Sequence, residues 1–184
     1  MIKLNINGLE VLFDNDEVIS GIQNLAKEID AFYFDSLTVN LIPVLTGAMQ
    51  FAAYLLTELE KLSPGKWLPV PIFASAYLSD GVSKLPKVEY PESFENRIDN
   101  NSPTLVVDDL LDTGNTMTVI YKSLQERNLT DLKLAVLINR NITRSVTVFA
   151  DFYSFDVDDE SWIVGFGMDS SNKFRGLDSI YIKK

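Results

Sequence analysis

The chain has 184 residues, 46% of them apolar and 23% charged, an ordinary balance for one globular domain with a substantial core. Its formal net charge of −10 argues against nonspecific binding to nucleic acid or to an anionic membrane. Zero cysteines exclude disulfide and thiol chemistry, and no apolar run approaches the roughly 20 residues that span a bilayer.

The absence of histidine is more restrictive. Acid–base work must fall to Asp, Glu, Lys or Tyr, and a metal must take oxygen ligands, which favours magnesium over zinc. Met1-Ile2-Lys3-Leu4-Asn5 lacks the basic n-region and long apolar stretch of a signal peptide, so the expected location is cytoplasmic.

Along the chain, Ile2, Leu4 and Ile6 alternate, Asn7-Gly8 makes a turn, and Leu9, Val11 and Phe13 resume the alternation, which predicts an N-terminal hairpin. Asp14 and Glu17 have capping-box spacing ahead of a helical stripe of Val18, Ile22, Leu25, Ile29 and Phe32. Leu37 to Leu45 reads as a buried strand and Ala48 to Leu62 as a helix closed by Ser63-Pro64-Gly65. Val70 to Tyr77 is a strand candidate with Pro71 near its start. Residues 78–103 are polar and broken by Pro86, Pro91 and Pro103; their composition fits a functional lid or a surface insertion equally. Strands are expected at Leu132 to Ile138, Val146 to Phe152 and Trp162 to Val164. Strands alternating with helices predict an α/β fold, an open, mostly parallel sheet flanked by helices in a single domain over residues 1–184.

The most informative stretch lies between these elements. Leu105, Val106 and Val107 suit a strand buried on both faces, and Met117, Ile120, Tyr121 and Leu124 mark one face of a helix. Between them stand Asp108, Asp109 and Asp112, then Thr113-Gly114-Asn115-Thr116. Such a turn at a helix N-terminus offers free N–H groups and a positive dipole end to a phosphate. Acids beside a phosphate would repel it unless ribose hydroxyls and a divalent cation bind there too. Neither a Walker loop nor a dinucleotide fingerprint is present.

Val106-Val107-Asp108-Asp109-Leu110-Leu111-Asp112-Thr113-Gly114-Asn115-Thr116 closely resembles the phosphoribosyl-pyrophosphate (PRPP) signature of type I phosphoribosyltransferases. The likeness extends in order from about Val11 to Tyr181, and is greatest to the hypoxanthine-guanine members. Val18 to Ile29 is similar to their first helix, Val44-Leu45-Thr46-Gly47-Ala48 to their pyrophosphate loop, and Ala76-Tyr77 to the start of their mobile loop. Trp162 to Asp169 and Lys173 to Leu177 follow the C-terminal pattern of the purine-specific members.

The resemblance implies the type I fold with a small hood built from the chain ends, and a magnesium-dependent purine salvage enzyme. It would join PRPP to a free 6-oxopurine, releasing pyrophosphate. By the same resemblance, Asp108 and Asp109 would hold ribose hydroxyls and metal, and Asp112 would exchange a proton with the purine ring. Thr113, Gly114, Asn115 and Thr116 would cradle the 5′-phosphate, Thr46, Gly47 and Arg175 would meet pyrophosphate, and Asp169 would bind a second magnesium. Trp162 would stack on the base beside backbone contacts at Ile163, with Asn139 in the place of the lysine that reads the 6-oxo group. A non-proline cis peptide is expected at Leu45-Thr46, and a homodimer or homotetramer is implied, with neither nucleic acid nor membrane as partner.

Three positions depart from the family pattern. Thr46 replaces a frequent lysine, Ala76 replaces a serine, and an uncharged Asn139 leaves base choice open, with xanthine or a pyrimidine as alternatives. A non-catalytic sensor of PRPP or nucleotides on the same fold is the other reading.

Overall fold

Two apolar runs, β2 (Val39–Leu45) and β8 (Thr104–Leu111), lie side by side at the centre of a seven-stranded sheet. The computed structural model describes residues 8–75, 78–79, 82–83, 86–158 and 160–184. Before β2 come β1 (Leu9–Phe13) and α1 (Asn15–Phe32); after it come α2 (Met49–Leu62), β3 (Trp67–Pro69) and β4 (Ile72–Ser75). A short ribbon of β5 (Leu78–Ser79) and β6 (Val82–Ser83) follows, then β7 (Lys87–Glu89) and α3 (Phe94–Arg97). After β8 come α4 (Asn115–Gln125), β9 (Leu132–Arg140), β10 (Phe152–Val157), β11 (Trp162–Val164) and β12 (Ile180–Lys183).

The main sheet runs β10-β9-β8-β2-β4-β7, with β3 also on β2. Every pair is parallel except β4 with β7. Its two faces are both covered, which is why the central strands are apolar throughout rather than alternating. One face packs Val18, Ile22, Leu25 and Ile29 of α1 and Phe51, Leu55 and Leu59 of α2; the other packs Met117, Ile120 and Leu124 of α4. The C-terminal ends of β2, β8 and β9 share one edge of the sheet, where α/β folds bind ligands.

Local chemistry explains the first helix. Glu17 N–H donates to Asp14 Oδ1 at 3.1 Å and Asp14 N–H donates to Glu17 Oε2 at 2.8 Å, closing the expected capping box. The final residue of the stripe, Phe32, emerges 55% exposed and meets Phe152 edge-on.

Several expectations change. The strand expected at Val70 to Tyr77 begins only at Ile72, as β4, and a separate strand, β3, precedes it at Trp67–Pro69; both pair with β2. Between them Pro71 has no N–H to continue the ladder. Tyr77 and Ala76 lie outside the described residues. The strand expected at Val146 to Phe152 is displaced to Phe152–Val157. Val146 and Val148 owe their apolar character to packing against the α4 core and not to a ladder. The first arm of the expected N-terminal hairpin also lies outside the described residues. Leu9–Phe13 instead pairs with β12, a strand that local periodicity did not suggest, and β12 pairs with β11. These three strands from the two chain ends form the hood.

Residues 86–103 are more anchored than a structureless segment. β7 joins the sheet edge, Phe94 is buried, and Tyr90 packs edge-on against it at 4.6 Å. The buried Asn40 carboxamide donates to Asp99 O (2.8 Å) and Thr104 Oγ1 (3.2 Å) and accepts from Asp99 N–H (3.0 Å), pinning the return to β8.

Candidate active site

A cleft of about 980 Å³ opens where β2, β8 and β9 end beneath the hood. Along its floor, β8 leaves the apolar interior at Asp108 and Asp109, both half-buried. Asp108 Oδ1 accepts from Asp109 N–H at 3.0 Å, and Asp109 Oδ1 accepts from Leu110 N–H at 2.9 Å. Burial, and then the neighbouring Asp109 charge, push the Asp108 carboxyl well above the ordinary carboxylate range. Burial also raises Asp109, opposed by hydrogen bonds from Asp108 and Leu110 and by the Arg175 charge. Adjacent carboxylates that resist ionisation make a site short of positive charge. Their oxygen donors suit magnesium, and no cluster of three or more metal-binding side chains occurs among the described residues.

Beyond these acids the strand turns into α4. Gly114 adopts φ +79°, a left-handed conformation that glycine enters without strain, and no side chain caps the helix. Thr113, Gly114 and Thr116 line the cleft below the open helix end, whereas Asn115 lies outside its lining. Asp112 projects from the same turn and is half-exposed, its Oδ1 3.5 Å from Arg140 Nε.

The opposite wall is built by close backbone approach. The Leu45–Thr46 peptide is cis, as expected. A Cβ on Gly47 would lie 2.5 Å from Asp109 Oδ2, and a Cβ on Gly167, at φ +106°, would collide with the Gly47 carbonyl oxygen. Glycine at 47 therefore lets the Asp109 carboxylate lie against the loop after β2, and glycine at 167 lets the C-terminal segment sit on that loop. This contact brings Asp169 and Arg175 into the cleft. Arg175 forms an ion pair with Asp169 and donates to Gly167 O at 2.7 Å. Asp169 Oδ2 also accepts from Asn172 N–H at 2.6 Å, and its carbonyl accepts from Trp162 Nε1 at 2.8 Å. Trp162 stays 61% exposed beside the cleft, with its indole nitrogen tied down and Ile163 behind it.

Asn139 requires correction. It does not line the cleft: its Nδ2 donates to Asp156 Oδ1 at 2.6 Å and its Oδ1 accepts from Arg144 at 3.0 Å. Neighbouring residues on a strand face opposite ways, and the residue that lines the cleft is Arg140. Arg140 is buried, and its guanidinium donates to Ser161 O at 3.2 Å besides facing Asp112. Strand alternation across Asn139-Arg140 was the available signal. Glu89, from β7, is a further lining residue that no local motif marked.

Residues 8–171 match the family model for the phosphoribosyl transferase domain, and the chain belongs to that family, in its type I fold. Within the family its similarity is to the hypoxanthine-guanine members. It is 34% identical over 176 residues to a hypoxanthine-guanine-xanthine phosphoribosyltransferase of Tritrichomonas foetus, covering 95% of this chain and 91% of the relative. It is 26% identical over 175 residues to the hypoxanthine-guanine phosphoribosyltransferase of Bacillus subtilis (strain 168), covering 95% and 93%. Among solved structures, the hypoxanthine phosphoribosyltransferase of Trypanosoma cruzi in complex with the product IMP superposes with a TM-score of 0.85. That match has 25% identity and covers 98% of this chain and 97% of the other.

Proposed function

We propose that the chain transfers the 5-phosphoribosyl group of PRPP to a free 6-oxopurine such as hypoxanthine or guanine. The products are a nucleoside monophosphate and pyrophosphate, the reaction of purine salvage. The observation that carries the reading is the meeting, in one cleft, of the Asp108–Asp109 pair, the open N-terminus of α4, and Asp112 facing Arg140 near Trp162.

Each group has a task in that reaction. The 5′-phosphate sits on the free N–H groups of the Thr113–Thr116 turn. Asp108 and Asp109 accept from the ribose hydroxyls and, with Asp169 across the cleft, would hold magnesium. That ion, when bound, neutralises pyrophosphate and eases its departure. Thr46 and Gly47 offer hydroxyl and backbone contacts to pyrophosphate, and Arg175 supplies the cation. The purine lies against Trp162, next to Ile163. As a ring nitrogen bonds to C1 of the ribose and the C1–oxygen bond to pyrophosphate breaks, Asp112 takes the proton the purine ring gives up. Arg140, rather than Asn139, is the donor for the exocyclic oxygen, and its permanent charge fits an oxo group better than an amino group.

We also infer a cytoplasmic protein that works as a homodimer or homotetramer. The exposed Phe34, Leu37 and Phe149 offer apolar contact surface. Among the described residues no helix is long and apolar enough to cross a membrane.

The test is steady-state pyrophosphate release from PRPP and magnesium with hypoxanthine, guanine, xanthine and adenine supplied separately. Turnover with hypoxanthine or guanine, and far less with adenine, is expected; silence with every base alongside tight PRPP binding would mean a sensor instead.

A further inference from the structure

Among the described residues, Arg144 is a cation beside the catalytic turn to which the proposed reaction gives no task. It stands after β9, half-buried, and its side chain spans two strand ends. Its Nε donates to Asp112 O at 2.6 Å and its Nη2 to Leu111 O at 3.1 Å; Nη2 also donates to Arg140 O and, at 3.0 Å, to Asn139 Oδ1. Its Cδ lies 3.8 Å from where a Cβ on Gly114 would stand. One guanidinium thus touches the backbone of both Asp112 and Arg140, the two residues whose side chains face each other in the cleft.

The next residues outward explain what holds Arg144. Strand register places Leu111 opposite Asn139 and Asn139 opposite Asp156, so the three occupy one row across β8, β9 and β10. Asp156 accepts from Asn139 Nδ2, which fixes the carboxamide with its oxygen toward Arg144. Asn suits this position because a single side chain must both donate and accept; Asp would face Asp156 with like charge, and Leu would do neither.

We propose that Arg144 is a positioning residue for catalysis, held by an Asp156–Asn139 relay, that fixes the Asp112 carboxylate and the phosphate turn relative to Arg140. This rests on the phosphoribosyl-transfer reading above. Arg144 touches no reacting atom. Its effect is geometric: the guanidinium ties the carbonyls of Leu111 and Asp112, where β8 ends, to that of Arg140, where β9 ends, and misplacing a catalytic group by about 1 Å can cost about 100-fold in rate.

The experiment compares wild type, Arg144→Ala, Arg144→Lys and Asn139→Ala by kcat, by KM for base and PRPP, and by thermal melting. Arg144→Ala is repeated with added guanidinium ion at sub-denaturing concentration. Wild-type turnover comes first and judges the transferase reading alone; if it is absent, that reading falls and this role with it. Given turnover, Arg144→Ala should lose about 10- to 100-fold in kcat with base KM near wild type, and guanidinium should restore part of the loss. Arg144→Lys should fall between, since an ammonium lacks the fork. Asn139→Ala should lose a smaller factor in kcat and leave base KM unchanged. Unaltered kcat in Arg144→Ala, loss without rescue that follows the melting temperature, or a raised base KM in Asn139→Ala would each overturn the proposal. Should Arg144→Ala fail to fold, Arg144→Lys and Asn139→Ala decide it by the same kcat and KM criteria.

Discussion

Asp112 and the Asp108–Asp109 pair are acids a few residues apart with opposite surroundings. Asp112 is half-exposed and faces an arginine, whereas Asp108 is pushed toward its neutral form by burial and by Asp109. If Asp112 moves the proton, Asp112→Asn should lower turnover about 100- to 10,000-fold while PRPP affinity stays near wild type, a split measured by kinetics beside calorimetry. Equal loss of both would assign it a structural task. For Asp108 the sign follows from linkage. Its folded-state value lies above its unfolded one, so between the two the fold holds a proton that the unfolded chain has released. Stability of the ligand-free protein should therefore fall as pH rises from the ordinary carboxylate range through the raised value. Asp108→Asn removes that titration, and melting curves should show it more stable than wild type at neutral pH, with the gap closing in acid. A gap that widens in acid would contradict the assignment.

At the scale of elements, the cleft depends on glycines that let backbones touch. Gly167→Ala meets both a positive φ and the Gly47 carbonyl, and should cost roughly 1–3 kcal/mol of stability and loosen the hood. Gly176→Ala is the control, because a Cβ there meets nothing within 4 Å. Denaturant titration of the two variants checks the contrast, and equal losses would show that the Gly47–Gly167 contact is not what seats the hood. The same scale explains what was legible in the sequence. Asp108 to Thr116 could be read because the strand end, the acids and the helix start are consecutive, so local pattern and site coincide. Asn139, the position expected to read the base, lies outside the cleft lining while its neighbour Arg140 lines it, because on a strand one residue is the difference between facing the cleft and facing away. Arg144 and Glu89 were missed because each reaches the site from an element whose own periodicity says nothing of its neighbours. The pairing of β1 with β12 was missed for the same reason, since it joins the chain ends.

Across the whole molecule, charge poses the main problem. A protein of net charge −10 is proposed to bind one of the most anionic of small metabolites, and the cleft adds to the difficulty. Among the described lining residues are Glu89, Asp108, Asp109, Asp112 and Asp169, against Arg140 and Arg175. Thr46 contributes no charge. PRPP must therefore arrive with its cation, and chelating divalent ions should abolish PRPP binding itself as well as turnover, as calorimetry with and without chelator would show. Binding that survives chelation would mean that protein cations suffice. The central claim is group transfer, and its most direct measurement is product stoichiometry from PRPP, magnesium and hypoxanthine. The account predicts inosine monophosphate and pyrophosphate formed one for one, with the base consumed. Pyrophosphate released without a nucleotide, or PRPP bound and returned intact with every purine, would contradict it.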